Sequence, residues 1–402
     1  METIIIRDDL NTAADLIRRG GLVGVPTETV YGLAGNGLDE AAVRLIYEVK
    51  GRPEVKPLAL MVPDAGEMDK YCENVPESAK ALAARFWPGP LSIVLNARTD
   101  VVPEIVRAGG KTVSLRCPDH PLTLEVLRLA GLPFAAPSAN PSGQPSPKTA
   151  EEVYAYFAGS IGAVIDGGPC GLGRESTILD MSKTPYCILR QGALSAESIR
   201  EALRENLRLI GITGPSGSGK TTALELLAKR GALVLDCDAV YHELLRQDRQ
   251  LIDELSAAFP GTVKDGALDR RALAGIVFSD ESALTELNRI SHRHVSEEVL
   301  RRLDEYAMNG GTLAALDAIE LISSGLAEKC GCVIGILADE ETRVSRIMAR
   351  DGISREAALL RVRAQKDAQY FIDNCDRVVE NNGGAADFTK RFMNALEEID
   401  HG

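Results

Sequence analysis

The stretch GITGPSGSGKTT, Gly211 to Thr222, decides the fold, and it lies close to the middle of a chain of 402 residues. It contains the complete pattern G-x-x-x-x-G-K-[ST]. The apolar run LRLIGIT precedes it as a buried strand, and TALELLAKRG follows it with the periodicity of a helix. A strand, a glycine-rich loop and a helix in this order are the context in which the pattern binds nucleotide phosphates. We therefore predict a P-loop domain, a three-layer α/β/α fold with a parallel sheet and a helical lid, over residues 207–402.

Each polar group of this loop has a predicted role in binding a nucleotide. Its glycines allow backbone N–H groups to surround phosphates, and the start of the helix adds a partial positive charge. Lys220 is expected to reach the outer phosphates, and the hydroxyl of Thr221 to ligate Mg²⁺. ATP and Mg²⁺ are thus the predicted cofactors, and the predicted nucleotide-binding residues are Gly214, Gly217, Gly219, Lys220, Thr221 and Thr222.

Three acids follow predicted strands of the same domain. Asp236 and Asp238 end GALVLDCD, and Asp317 ends GTLAALD. Since ligands of open α/β folds bind at the carboxyl ends of the strands, we predict that Asp236 and Asp317 support the metal. One of the pair Asp236 and Asp238 could instead cap the next helix, while the other accepts a proton from a substrate hydroxyl. In the arginine-rich helical stretch that follows, Arg350 is predicted to stabilise the transferring phosphoryl group.

Composition limits the remaining possibilities. A chain of 402 residues exceeds the usual size of one hydrophobic core, so we expect two domains, 1–206 and 207–402. The net charge of −13 argues against a general nucleic-acid binder. No apolar run reaches the ~20 residues of a membrane span. The eight cysteines are scattered, so we expect neither disulfides nor structural zinc, and a soluble, cytoplasmic protein without a membrane partner.

The first half has no phosphate loop but carries polar clusters between α/β elements. A turn after Pro26 contains several hydroxyl groups, and a loop broken by glycine and proline carries cations suited to an anionic ligand. Ser114 and Arg116 alternate along a strand and therefore face the same side. The candidate residues in these segments are Thr27, Tyr31, Lys50, Arg52, Ser114, Arg116, Ser138 and Asn140.

Taken in order, the segments PTETVYGL, KGRPEVKPL, SLRCP, PSAN, ESTILD and ILRQGAL resemble the YrdC-like threonylcarbamoyl-AMP synthases. The resemblance runs from the N-terminus to about residue 206 and implies an open, twisted α/β sheet. It also implies that L-threonine, bicarbonate or CO₂, and ATP give threonylcarbamoyl-AMP and pyrophosphate. Adenylation of a carbamate needs charge compensation and alignment rather than a covalent nucleophile. The resemblance adds Ser176 and Arg190 to the candidate residues and implies that Lys50 and Arg52 lie closest to the chemistry. The product would pass to downstream proteins that form the t6A modification of tRNA.

The second half resembles the dephospho-CoA kinases through the phosphate loop, DCDAVYHELL, DRRALAGIVFSD, LNRISHRHV, RIMARDGIS, RVRAQ and VVENNGG. The resemblance implies transfer of a phosphoryl group from ATP to the ribose 3′-hydroxyl of dephospho-CoA, with Asp238 as general base. It adds His292, Arg346 and Gln365 as site residues. Ser323 stands where the family tends to have a glutamate, and Arg293 where a proline usually follows the histidine.

Several alternatives stay open at this point. The second domain could phosphorylate another acceptor, such as a nucleoside, or could sense nucleotide without turnover. The first domain could be an RNA-binding module, including one for double-stranded RNA. Weak retention of RNA at high salt would favour that reading.

Overall fold

The structure is a computed structural model that describes residues 2–264, 266–318 and 321–400. The chain divides into two compact units, which are described separately. Unit 1 comprises Met1–Asn206 with Met308–Gly310, and unit 2 comprises Leu207–Ala307 with Gly311–Gly402. Within the described ranges, no helix is both long and apolar enough to cross a membrane.

Unit 1 is built on a ten-stranded mixed sheet with helices packed against it. Its strands are β1 (Ile4–Ile6), β2 (Val23–Val25), β3 (Gly32–Asn36), β4 (Ala59–Met61), β5 (Leu91–Asn96), β6 (Thr112–Arg116), β7 (Phe134–Ala135), β8 (Ala163–Ile165), β9 (Thr177–Asp180) and β10 (Cys187–Arg190). Their order across the sheet is β1-β8-β2-β3-β7-β4-β6-β5-β9-β10. β4 pairs with β6 in parallel and with β7 in antiparallel, so segments far apart in sequence meet at the centre of the sheet.

The helices of unit 1 begin and end where local chemistry predicts. The side chain of Asp9 caps α1, that of Asp39 caps α2, and Ser195 caps α7, while Gly51 ends α2 in the left-handed conformation. The helices are α1 (Leu10–Arg18), α2 (Glu40–Lys50), α3 (Met68–Tyr71), α4 (Glu77–Phe86), α5 (Pro121–Ala130), α6 (Ala150–Phe157) and α7 (Ala196–Glu205), with a 3₁₀ turn at Ala65–Glu67.

Unit 2 contains a five-stranded parallel sheet in the order β12-β15-β11-β16-β17. The strands are β11 (Arg208–Thr213), β12 (Leu233–Asp236), β15 (Leu313–Asp317), β16 (Cys332–Leu337) and β17 (Arg377–Glu380), and a separate hairpin joins β13 (Val263–Lys264) and β14 (Ala267–Leu268). The phosphate loop follows the central strand β11, whose residues Ile210 and Ile212 belong to the buried core. Because the strands are parallel, the ends of β11, β12 and β15 bring the loop, Asp236 and Asp317 to one edge.

Helices flank this sheet and also form a separate small cluster. The helices are α8 (Lys220–Lys229), α9 (Cys237–Gln247), α10 (Arg249–Ala258), α11 (Arg270–Val277), α12 (Glu281–Met308), α13 (Glu340–Asp351), α14 (Arg355–Arg363), α15 (Ala368–Asn374) and α16 (Ala385–Asp400), with a 3₁₀ turn at Leu326–Lys329. α13 and α14 pack on each other through their own buried residues, among them Ile347 and Val362. They form the predicted helical lid, and the α/β class predicted for both halves is confirmed.

Candidate active sites

The first candidate site is a cavity of about 330 Å³ in unit 1. β3, β4, β5 and β6 and the loops around them supply its walls. Seven of the predicted residues line it: Tyr31, Arg52, Ser114, Arg116, Ser138, Ser176 and Arg190. Three others, Thr27, Lys50 and Asn140, are buried and support the surrounding loops instead. The fold thus brings segments separated by up to 159 residues, from Tyr31 to Arg190, around one cavity.

Arg116 enters the cavity with its charge already paired. Its Nη2 donates to Glu28 Oε1 at 2.6 Å and to Thr29 Oγ1 at 2.8 Å, and its Nε donates to the carbonyl of Gly89 at 3.2 Å. Both members of the ion pair are largely buried, with 8% and 14% of the side chains exposed. The ion pair and the neighbouring hydrogen bonds fix the direction of the guanidinium. Removal of the glutamate would leave a buried, uncompensated charge, so the pair is costly to break. Arg52 and Arg190 line the same cavity, so three guanidinium groups surround it.

Lys50 does not line the cavity but stabilises a loop that borders it. It is the last residue of α2, and its ammonium donates to the backbone carbonyls of Ser138 and Asn140. Its own carbonyl accepts the Ser142 N–H at 2.8 Å, so the lysine holds this loop at several points. Burial, together with the nearby Arg52, lowers the pKa of Lys50 to about 8. The charge predicted to face phosphates therefore contacts loop carbonyls in this structure.

Thr27, Asn140 and Tyr31 also form internal hydrogen bonds. The Thr27 hydroxyl donates to the Val30 carbonyl at 2.6 Å and accepts the Thr29 and Val30 N–H groups. The amide of Asn140 donates to the carbonyls of its own loop, at 2.9 and 2.7 Å, and its Oδ1 is buried without a partner. Tyr31 donates to the Gly168 carbonyl at 2.8 Å, and burial raises its pKa to about 12. These groups shape the turn and loops that border the cavity.

One member of a serine pair at the cavity, Ser92, was missed from the sequence. Ser92 Oγ and Ser176 Oγ are 2.8 Å apart, at hydrogen-bond distance. Arg190 donates to the carbonyl of Ser176 at 2.9 and 3.1 Å. Ser114 Oγ is buried without a hydrogen-bond partner in the same cavity, which leaves it available to a ligand. The only signal for Ser92 was a hydroxyl within the apolar strand LSIVLN. Glu175, which also lines the cavity, belongs to the segment ESTILD that supported the resemblance, but it was not among the predicted site residues.

The second candidate site is a cavity of about 810 Å³ at the sheet edge of unit 2. Thr222 does not line this cavity, and its N–H donates to the Gly219 carbonyl at 3.1 Å. The other predicted phosphate-loop residues and acids meet there, together with the residues that the resemblance implies except His292: Gly214, Gly217, Gly219, Lys220, Thr221, Asp236, Asp238, Asp317, Ser323, Arg346, Arg350 and Gln365.

The phosphate loop requires glycine at the positions where it turns. Gly214, Gly217 and Gly219 have φ values of +143°, +80° and +104°. A Cβ at Gly219 would lie 2.1 Å from Asn381 Nδ2, and one at Gly217 would lie 2.9 Å from the Arg343 carbonyl. The ammonium of Lys220 donates to the Gly214 carbonyl at 3.1 Å across the loop. The loop is therefore held in the curved form that directs N–H groups toward a phosphate.

The three acids differ in their surroundings. Asp236 caps α9, because its Oδ1 accepts the Asp238 and Ala239 N–H groups at 2.9 and 3.0 Å. Burial raises the pKa of Asp317 to about 6; Lys220 opposes this shift, and Asp236 and Asp238 add to it. Asp317 Oδ1 is buried without a hydrogen-bond partner. Asp317 and Thr221 line the same cavity, and a carboxylate oxygen with a hydroxyl oxygen is a set of ligands that suits Mg²⁺.

The described residues contain no group of three His, Cys, Asp or Glu side chains arranged to hold a metal by themselves. This finding is compatible with Mg²⁺, which is usually bound by one or two carboxylates together with substrate phosphates and water.

The arginines of α13 contact the phosphate loop directly. Arg346 donates to the carbonyls of Gly217 and Ser218 at 3.2 and 3.1 Å. Arg343 donates to the Ser216 carbonyl at 3.1 Å and to Gln365 Oε1 at 2.6 Å, and Gln365 Oε1 also accepts the Ser216 N–H at 3.0 Å. These residues attach the lid to the outer side of the loop.

Arg350, the arginine predicted for transition-state stabilisation, forms a two-point ion pair with Asp351 at 2.7 and 3.0 Å. Its second contact is with Ser216 Oγ at 3.4 Å. It lines the cavity, and its guanidinium is oriented by the neighbouring carboxylate.

His292 lies outside this cavity. It lines an adjoining cavity of about 180 Å³ that shares Asp238 with the larger one. Arg293, the residue in place of the usual proline, forms an ion pair with Glu254. Ser323 lines the larger cavity, while Ile319 and Glu320 of the same segment lie outside the described residues.

The geometry of unit 2 is that of the P-loop class: a parallel sheet, a glycine loop after its central strand and a lysine at the start of the next helix. Comparison with known families extends this to both halves. The family model described as "Telomere recombination", for Sua5, YciO and YrdC proteins, matches residues 15–192, and the model described as "Dephospho-CoA kinase" matches residues 208–387.

Three relatives illustrate the two matches. The threonylcarbamoyl-AMP synthase of Pyrococcus abyssi is 45% identical over 196 residues, 49% of this chain and 57% of that protein. A Mycobacterium tuberculosis protein, provisionally named as a threonylcarbamoyl-AMP synthase, is 35% identical over 48% of this chain and 88% of its own length. The dephospho-CoA kinase of Corynebacterium glutamicum is 33% identical over 47% of this chain and 98% of its own length.

The chain therefore belongs to the threonylcarbamoyl-AMP synthase family in its first half and to the dephospho-CoA kinase family in its second. It spans little more than half the length of the Pyrococcus abyssi relative, whose remaining residues have no counterpart in that match.

Proposed function

We propose that unit 2 transfers the γ-phosphoryl group of ATP to the ribose 3′-hydroxyl of dephospho-CoA. The observation that carries the proposal is one cavity that contains both the curved phosphate loop with Lys220 and the carboxylate of Asp238. Lys220 and the loop N–H groups hold the phosphates of ATP. Asp238 accepts the proton of the ribose hydroxyl while the oxygen of that hydroxyl bonds to the γ-phosphorus. The bond from the γ-phosphorus to ADP breaks, and ADP leaves.

Other residues of the cavity orient the reactants. Thr221 and Asp317 would hold Mg²⁺, with Asp236 beside them, and the ion would neutralise charge on the phosphates. Arg350 faces the cavity from the lid, where a fixed cation stabilises charge on the transferring group. Since Asp236 uses one carboxylate oxygen to cap α9, Asp238 is the better candidate for the base.

The test is incubation of the purified chain with Mg²⁺-ATP and dephospho-CoA, with CoA quantified by mass. We expect CoA from the wild type and a loss of at least about 100-fold in Lys220→Ala and Asp238→Asn, because each removes an interaction that is strongest in the transition state. Asp253→Asn, at an exposed position on α10, is the matched control. ATP binding without CoA formation by the wild type would overturn the assignment and favour a nucleoside acceptor or a nucleotide sensor.

We further propose that unit 1 forms threonylcarbamoyl-AMP and pyrophosphate from L-threonine, bicarbonate or CO₂, and ATP. The supporting observation is a cavity with three guanidinium groups and several hydroxyls, among them Ser114 Oγ without a protein partner. Arg52 and Arg190 would compensate the charge of the triphosphate, and the serines would bind the neutral and zwitterionic parts of the ligands. The product would supply tRNA t6A-modifying proteins in the cytoplasm.

This second activity is tested by pyrophosphate release that requires L-threonine, bicarbonate and ATP together. Arg52→Ala should lower the rate by about 100-fold, since it removes a charge from the site of a developing anion. Arg44→Ala, an arginine outside this cavity, is the control. Retention of RNA by the chain, with a steep dependence on salt and no pyrophosphate release, would instead favour the RNA-binding alternative.

A further inference from the structure

A third cavity adjoins Asp238 on the side of α12. Its volume is about 180 Å³, smaller than the ~300–1,000 Å³ of sites that enclose a whole drug-sized ligand. Apolar and aromatic side chains form most of its walls, and a few polar groups interrupt them. We call it the base pocket; its described lining residues are Cys237, Asp238, Tyr241, Leu287, Asn288, Ser291, His292, Val295, Ala318, Ser324 and Leu326.

One polar group in the base pocket has no protein partner. Ser291 is 8% exposed, and its buried Oγ makes no hydrogen bond within the protein. A buried hydroxyl without a partner carries a free-energy penalty unless a ligand or water satisfies it. Asn288, Ser291, His292 and Val295 are spaced by three or four residues, so they share one face of α12. The helix therefore presents polar groups and an apolar surface to the same small space.

The charge of the base pocket restricts its occupant. Among its described lining residues there is no Lys or Arg, and the one charged side chain is the carboxylate of Asp238. A phosphate or pyrophosphate would meet no cation there and would be repelled by the acid. The pantetheine arm of the acceptor is separated from the ribose by two phosphates, so it would have to carry them past Asp238. A neutral, flat heterocycle attached to the same ribose meets neither obstacle.

We propose that the base pocket binds the adenine ring of the acceptor, with Ser291 and Asn288 as specificity-determining residues that hydrogen-bond to its polar edge. This inference rests on the proposed kinase function, because Asp238 acts on the hydroxyl of the ribose that carries the base. With Asp238 on both cavities, the ribose lies between them: its hydroxyl faces the phosphate loop and its base enters the base pocket. Leu287 and Val295 provide apolar contacts to the ring faces.

The test is a comparison of two acceptors, dephospho-CoA and its inosine counterpart, in which oxygen replaces the exocyclic amine of the base. Ser291→Ala and Asn288→Ala are compared with Thr285→Ala, which removes an exposed hydroxyl of the same helix that bonds to the carbonyl of Glu281. We expect the wild type to prefer dephospho-CoA. In the first two variants the KM for dephospho-CoA should rise about threefold to tenfold, because each variant loses one neutral hydrogen bond to the acceptor. The KM for ATP should not change.

Loss of discrimination between the two acceptors in either variant would be the strongest support, because a packing defect would weaken both equally. An unchanged KM for dephospho-CoA in both variants, or equal rises in the KM for ATP and for the acceptor, would overturn the base pocket while leaving the kinase proposal intact. If the wild type makes no CoA, calorimetric titration with adenosine and uridine decides the question. Selective binding of adenosine that Ser291→Ala weakens would keep the base pocket, and equal or absent binding would reject it.

Discussion

At the scale of single residues, the ionised carboxylate that we propose for metal binding at Asp317 lowers the stability of the fold. Burial raises its pKa to about 6, above the 3.8 of an ordinary aspartate. A carboxyl whose pKa is higher in the folded state than in the unfolded state reduces stability when ionised. This cost is absent below about pH 4 and complete above about pH 6, and a shift of this size corresponds to roughly 3 kcal/mol at most. We propose that a metal ion bound by Asp317 would offset this cost.

We therefore predict that Asp317→Asn stabilises the protein while it inactivates the kinase. In buffer with EDTA at pH 8, the free energy of unfolding should rise by about 1–2 kcal/mol, and at pH 4 it should not change. CoA formation should fall by at least about 100-fold. Urea unfolding at the two pH values measures the first effect, with Asp253→Asn as the exposed control. A loss of stability at pH 8 would show that the carboxylate makes a favourable contact in the fold.

At the scale of secondary-structure elements, the phosphate loop depends on α13 and on the residue that follows β17. Asn381 is 6% exposed, and its Nδ2 donates to the Ser218 carbonyl at 2.7 Å. Arg346 donates to the Asn381 carbonyl at 3.0 Å and to the Gly217 and Ser218 carbonyls. Since the C=O and N–H of a peptide point in opposite directions, donors that hold the carbonyls outside turn the N–H groups toward the ligand.

We predict that Asn381→Ala raises the KM for ATP about tenfold, because it leaves the buried Ser218 carbonyl without this donor. The KM for dephospho-CoA should change much less. Steady-state kinetics with each substrate varied in turn measures the two effects. Asn374→Ala, whose exposed amide bonds only to the Tyr370 carbonyl of its own helix among the described contacts, should leave both constants unchanged. A parallel rise in both KM values would contradict a role specific to the loop.

These elements also show which features of the site could be predicted from the sequence and which could not. The P-loop could be predicted because strand, loop and helix are contiguous and their chemistry is local. Lys50 was assigned to phosphates from its cationic loop, but its contacts are carbonyls 88 and 90 residues away, and only the fold brings these together. Asn381 belongs to a motif that supported the resemblance, yet its hydrogen bond to Ser218 spans 163 residues. The sequence can thus indicate which residues gather at a cavity, but a contact between residues far apart in the chain depends on the fold.

At the scale of the whole molecule, the two proposed activities should be separable by single substitutions. The described residues lining the first cavity all lie between Val30 and Arg190, and those lining the second all lie between Gly214 and Phe371. Each site is thus assembled from residues of one unit with its own sheet. We predict that Lys220→Ala abolishes CoA formation and leaves pyrophosphate release unchanged within about twofold, and that Arg52→Ala does the reverse, since sites that share no lining residues are expected to contribute independently.

Both products are measured on the same full-length preparations, so that folding and concentration are shared by the two assays. A second experiment uses wild-type protein saturated with dephospho-CoA and ATP and measures the KM for L-threonine. A ligand of one site alters affinity at the other only if it binds two states of the chain with different affinity. Independence predicts an unchanged KM for L-threonine under these conditions. A change of fivefold or more would correspond to a coupling free energy of about 1 kcal/mol. Reciprocity would then require L-threonine to alter the affinity of unit 2 for its own ligands by the same factor, which equilibrium binding can measure directly.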